Sequence, residues 1–192
     1  MKFAALVCLS AHLLLAADPL AESARAKLAL LKAEKAPPGS TTTITAQEWN
    51  AWARAEIADE PDIGLRDPKL TFGTGTVMFE VVADFGKLAT RAKANGLFAK
   101  MLEGERAVKI AVRPETADGK VTVRLDLVEI SGIPLSGGIL KLVAELVISR
   151  LFDDVKIDEP FEIGHKIDHA VIDPAKVQIV VAGQPPSKPA AK

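Results

Sequence analysis

The chain has 192 residues, of which 48% are hydrophobic and 26% charged, with a formal net charge of −1. That length supports one domain with a real core and short tails, and a near-neutral surface offers no field to attract nucleic acid. Aromatic residues make up 5% and tyrosine is absent, which argues against stacking on bases or sugars, and the one cysteine, Cys8, lies in the first apolar run.

Residues 1–17 read as a secretory signal peptide. Lys2 is the positive start, Phe3 to Leu15 the apolar run, and Ala16-Ala17 the small residues before Asp18. The run falls short of the roughly 20 residues that span a membrane. An uncleaved anchor is the rival reading, because Leu15 is a poor residue three positions before the cut. With the signal removed the chain would have no disulfide, thiol nucleophile or thiolate metal site. A periplasmic or secreted protein of the cell envelope is expected, folded on its core alone in a compartment that permits disulfides.

Residues 18–40 are expected to form an N-terminal helix and a linker. Asp18-Pro19 can start the helix, Leu20, Ala24, Leu28 and Leu31 follow at helical spacing, and Pro37-Pro38-Gly39-Ser40 breaks the chain. The narrow, alanine-rich stripe reads as a surface helix or a mobile stalk. The main domain is placed at 41–182. Thr41 to Ile44 is β-prone, and Thr45-Ala46-Gln47-Glu48 is a capping box opening a helix that puts Trp49 and Trp52 on one face.

Strands are expected at Leu65 to Phe72 and Thr76 to Phe85, the second with Val77, Phe79, Val81, Ala83 and Phe85 on one face. Lys87 to Leu102 reads as a helix interrupted by Asn95-Gly96. Val108, Ile110 and Val112 alternate next. A turn at Ala117-Asp118-Gly119-Lys120 leads to Val121, Val123, Leu125 and Leu127. The apolar parity then slips to Val128 and Ile130, which calls for a β-bulge. Leu135 to Phe152 reads as one long helix, apolar over most of its circumference. Phe161 to Ile172 and Ala175 to Val181 read as a closing pair of strands, with His165 and His169 leaning toward the apolar side, and residues 183–192 as a disordered tail.

One-faced strands beside an all-round apolar helix predict an α+β fold: a curved antiparallel sheet wrapped around a long apolar helix, with additional short helices. No residues make a catalytic case. The two histidines lack further metal ligands. Gly73-Thr74-Gly75 precedes a strand and not a helix, and the serines at 131 and 136 lack a nucleophile-elbow context. Asp154, Asp158, Glu159 and Glu162 read as a solvated edge.

The phrases ITAQEWN, DPKLTFGTGTVMFEV, VKIAVRPETADGKVTVRLDLVEISGIPL, GGILKLVAELVISRLF and IDHAVIDPAKVQIVV, in that order, resemble the LmeA-type and YpmS-type bacterial extracytoplasmic proteins, which are similar in turn to tubular lipid-binding domains. The resemblance spans about Thr41 to Val181 and rests on element order and short phrases. It implies lipid binding in the envelope without catalysis and carries over no catalytic residue.

The expected function is therefore non-catalytic binding of a lipid or other apolar small molecule between the sheet and the long helix, with contact to a membrane, no cofactor, no metal, no nucleic acid and no identifiable protein partner. The expected lining is Trp49, Trp52, Val77, Phe79, Val81, Val108, Ile110, Val123, Leu125, Leu140, Val143, Val147 and Leu151, with Asn95-Gly96 as a lid. The alternative is an envelope scaffold or interaction module with a dry core.

Overall fold

The computed structural model describes residues 18–60, 62–92, 104–117, 120–148, 150, 155–162 and 167–183, with the backbone alone at 89–92, 117 and 162. Residues 1–17 expected as a signal, Asn95-Gly96 expected as a lid, Asp118-Gly119 of the expected turn, Leu151 to Asp154, His165 and the residues from 184 lie outside the described residues.

Helix α1 spans Pro19–Lys32, and the Asp18 carboxylate accepts from the Leu20 N–H at 2.9 Å. Its Ala21, Ala24 and Leu31 are buried. The alanines let α1 lie close against α2, Ala46–Asp59. Strand β1, Thr41–Thr45, leads into α2 through the capping box: the Glu48 N–H donates to Thr45 Oγ1, and the Thr45 N–H donates back to Glu48 Oε2.

Two antiparallel sheets follow. The larger has six strands: β2 (Leu65–Phe72), β3 (Val77–Asp84), β4 (Glu105–Ala117), β5 (Lys120–Ile130) and β6 (Ile133–Pro134) in sequence order, with β7 (Pro160–Glu162) also pairing β5. The smaller holds β1, β9 (Lys176–Val181) and β8 (Ile167–Asp173), in that order. The run expected as one strand from Phe161 to Ile172 thus supplies β7 to one sheet and β8 to the other. Edge strand β2 carries a bulge in its pairing with β3 between Arg66 and Lys69, with Asp67 at φ 53° and Pro68 beside it, which makes this edge of the sheet irregular.

The parity slip in β5 is a β-bulge. Ala111 pairs Leu127 and Val112 pairs Leu125, so Asp126 is the extra residue, and its carboxylate accepts from Arg113 at 2.9 Å. The bulge lets Val123 on one side and Val128 and Ile130 on the other all be buried.

The chain does not form a sheet wrapped around a long apolar helix. Among the described residues none of the four helices is long and apolar, and the sheet is divided in two. The helix expected from Leu135 to Phe152 is α4, Gly138–Ile148, whose 11 residues make about 16 Å of axis. Local backbone chemistry shortens it. Ile133 pairs Ile130, and the Leu135 N–H donates to the Val128 carbonyl at 2.8 Å, so these residues are spent on a hairpin. Gly137 then sits at φ 67°, outside the right-handed helical region. At the other end the Arg150 N–H reaches Val147 O in a tight turn. Nor is α4 covered all round: Val143, Ala144, Leu146, Val147 and Ile148 are buried, but Ile139 is 40% and Leu142 38% exposed.

The main core lies where the inner face of the larger sheet meets α3 (Phe85–Ala92) and α4. Phe85, Leu88, Val108, Ile110, Val128, Val143, Val147 and Ile157 are fully buried there. The hairpin joining β5 to β6 turns on Ser131 and Gly132, both at positive φ (52° and 81°), the pattern of a type I′ turn. Asparagine tolerates that conformation better than serine. Ser131→Asn is expected to raise stability by about 0.5 kcal/mol, read as a higher urea midpoint at unchanged slope.

Candidate functional site: an apolar cavity between the two sheets

The capping box fixes where α2 begins, and so which way its tryptophans face. Trp49 and Trp52 meet edge to face, with ring centroids 5.5 Å apart and planes at 84°. Asn50, between them in sequence, ties α2 to edge strand β2. Its amide donates to the Leu70 carbonyl and accepts from the Leu70 N–H, both at 2.8 Å. This side chain pairs with β2 as a further strand would. At the far end of β2, the Gly75 N–H donates to Ile172 O at 3.0 Å and links the β2–β3 turn to β8.

These ties hold open a partly enclosed cavity of about 210 Å³. Trp49 and Trp52 of α2 form one wall. Leu70, Phe72, Val77 and Phe79 of β2 and β3 form a second, continued by Ile110, Val112 and Val123 of β4 and β5. Ile148 at the end of α4, Val155, and Ile172 and Val177 of the smaller sheet complete it. Every lining side chain is a hydrocarbon or an indole. The Trp49 Nε1–H is buried and meets no hydrogen-bond partner among the described residues.

Of the residues expected to line a ligand site, Trp49, Trp52, Val77, Phe79, Ile110 and Val123 line this cavity. Val81, Val108, Val143 and Val147 are instead buried in the main core, and Leu125 and Leu140 pack against it partly buried. Leu151 lies outside the described residues. The cavity is therefore not between sheet and long helix. Only the last residue of α4 reaches it, because the short α4 spends its buried face on β5 and α3. Leu70, Phe72, Val112, Ile148, Val155, Ile172 and Val177 join the lining without belonging to the expected set. Leu70 and Phe72 share a parity on β2, a usable signal. The contribution of β8 and β9 depends on a sheet-to-sheet contact with no local trace.

His169 does not lean inward. A register shift between Ile167 and His169 turns it out, where Nδ1 lies 2.8 Å from Asp168 Oδ2; Val171 is 42% exposed and Ile172 buried. Among the described residues, no three His, Cys, Asp or Glu side chains group to hold a metal, and no helix is long and apolar enough to cross a membrane.

Behind the tryptophans, α1 covers α2. Ala24 and Leu28 pack with Trp49, Trp52, Ala53 and Ile44. The contact is pinned by Glu48, which is 5% exposed. It accepts from Ser23 Oγ and Lys27 Nζ, both at 2.6 Å, as well as from the Thr45 N–H. Burial works to raise the Glu48 pKa, but the bonds from Lys27, Ser23 and Thr45 outweigh it and hold the carboxyl at about 2. Arg25 adds ion pairs to Glu22, Glu56 and Asp59; its bond to Glu56 is the main cause that raises its pKa.

Comparison with protein-family models, with curated proteins and with solved structures finds no match to this chain.

Proposed function

We propose that this protein is a non-catalytic binder of a single aliphatic chain or similarly small apolar molecule, held in the cavity between α2 and the two sheets. The carrying observation is the cavity, about 210 Å³ with thirteen apolar lining residues drawn from elements far apart in sequence. A cavity of 150 Å³ lined by such side chains takes up benzene, so this one has room for about eight carbons. Each CH₂ buried there contributes about 0.8 kcal/mol. An unfilled apolar void costs about 24 cal/mol per Å³, at most about 5 kcal/mol here. That is comparable with the whole stability of a small domain, so an occupant would stabilise the fold as well as be bound by it. The volume suits one chain end and excludes a whole two-chain phospholipid.

The resemblance to envelope lipid-binding proteins points the same way, as does the export signal read in residues 1–17. Ile139 and Leu142, exposed on one face of α4, support contact with a membrane surface as the place of loading.

Native mass spectrometry of the mature protein, purified from its own envelope and followed by lipid extraction, tests this reading. A stoichiometric single-chain adduct is the expected result. A clean unliganded mass, unchanged after incubation with lipid vesicles, would refute it and leave the envelope scaffold.

A further inference from the structure

The two indoles that form one wall of the cavity are braced from behind by α1. Ala24 of α1 is fully buried in one apolar cluster with Trp52, Ala53 and Ile44, and Leu28, Trp49 and Leu70 pack against that cluster. Trp49, Trp52 and Leu70 also line the cavity. The same three side chains therefore serve both the α1 contact and the ligand site.

Helix α1 can lift without dismantling a sheet. Among the described residues, every side-chain hydrogen bond that leaves α1 ends on α2: Ser23 and Lys27 donate to Glu48 at 2.6 Å, and Arg25 donates to Glu56 and Asp59. Its buried Ala21 and Ala24 remove little apolar area each from water. The chain that follows is anchored separately. The Gly39 N–H donates to Val181 O at 3.2 Å and the Val181 N–H donates to Ser40 O at 2.9 Å, so β1 stays paired with β9 when α1 leaves. Glu34, at φ 53°, and Pro37-Pro38 separate α1 from that anchor. A segment held by few apolar contacts opens at a lower free energy than the whole fold.

We propose that α1 regulates the cavity: docking of α1 on α2 and occupation of the cavity favour each other, and lifting α1 lowers the affinity for the ligand. This rests on the apolar-cavity reading above and adds control of ligand release to it. The physical basis is shared ordering. A ligand needs Trp49 and Trp52 held as a wall, and docked α1 already holds them, so the second event meets a wall that the first has ordered. Coupling of this kind changes affinity by about 5- to 150-fold and acts equally in both directions.

Hydrogen exchange on the full mature chain, with and without an excess of n-octane, tests the coupling, with n-octane affinity read from tryptophan emission. The amides of residues 19–32 are expected to exchange through a local opening, faster than those of β3 and β4, and n-octane should slow them about tenfold. Ala24→Asp puts a carboxylate into the α1–α2 contact. It should free α1, seen as fast exchange over residues 19–32 with β3 and β4 still protected, and weaken n-octane by the same factor, about tenfold. If n-octane binds while exchange in α1 is unchanged, or if α1 exchanges only together with β3 and β4, the coupling proposal falls and the cavity reading stands. The same follows if Ala24→Asp frees α1 yet binds n-octane as tightly as before. If n-octane does not bind the unmutated chain, the cavity reading itself falls. Exchange in the unmutated chain decides the matter even if the variant folds poorly.

Discussion

Glu48→Ala is expected to destabilise the fold by about 3 kcal/mol at neutral pH and to free α1 from α2. The carboxylate is nearly buried and makes bonds to Ser23, Lys27 and Thr45 that hold its pKa at about 2 against an ordinary 4.5. A depressed folded-state pKa means that the unfolded chain binds the proton more tightly. The contribution of Glu48 is therefore fully present above pH 4.5 and is lost as the pH falls through about 2. Alanine removes packing and the capping box along with the charge, so Glu48→Gln isolates the ionisation. In urea unfolding, the stability gap between the unmutated chain and the Glu48→Gln variant should hold constant above about pH 5 and shrink as the pH falls from 4.5 to 2. A gap that stays constant over that whole range would show that the charge contributes nothing. Because Ala24 and Leu28 of α1 pack on the cluster that holds both indoles, the same loss should appear as a change in tryptophan emission before the sheets unfold.

Val112→Trp is expected to abolish ligand uptake with the fold retained. Val112 sits on the inner face of β4, half-buried, and reaches both the cavity and the edge of the core. An indole there would occupy the space an aliphatic chain needs, and affinity for an eight-carbon alkane, n-octane, should fall by at least about 100-fold, roughly 2.7 kcal/mol. Replacement of void by side chain offsets the strain of the larger residue, so the thermal midpoint should stay level or rise. Val81→Ala makes the contrasting variant: Val81 is buried in the main core and does not line the cavity. It should lower stability and leave affinity intact once the variant is folded. Unchanged uptake by a well-folded Val112→Trp protein would place binding elsewhere.

The helix expected from Leu135 to Phe152 shows why local pattern misleads. Its apolar residues are real, but hydrophobicity alone does not distinguish a buried helix from a hairpin strand followed by a short helix. The informative signals are smaller: Ser131-Gly132 between Ile130 and Ile133, a two-residue hairpin turn, and Gly137-Gly138, where a left-handed residue blocks an earlier helix start. The same holds for His169. Alternation assigns it inward only if the strand is regular, and a bulge one residue earlier reverses its face.

What the sequence determined by itself is whatever a few neighbouring residues decide. The Thr45 capping box, the paired faces of Trp49 and Trp52, the alternation of Val77 to Ala83 and of Val108 to Val112, and the bulge required by the Leu125-to-Val128 slip all follow from backbone bonding and side-chain period within one element. Only the tertiary structure decided that the strands divide into two sheets, that Leu70 is pinned by Asn50, and that Ile172 and Val177 come round to close the cavity. The reason is physical. An apolar side chain lowers its free energy against any apolar neighbour, since burial is non-directional, so its face is legible from the sequence but its partner is not. Partners are chosen by competition among all faces for cover, and the cavity is the space which that competition leaves unfilled.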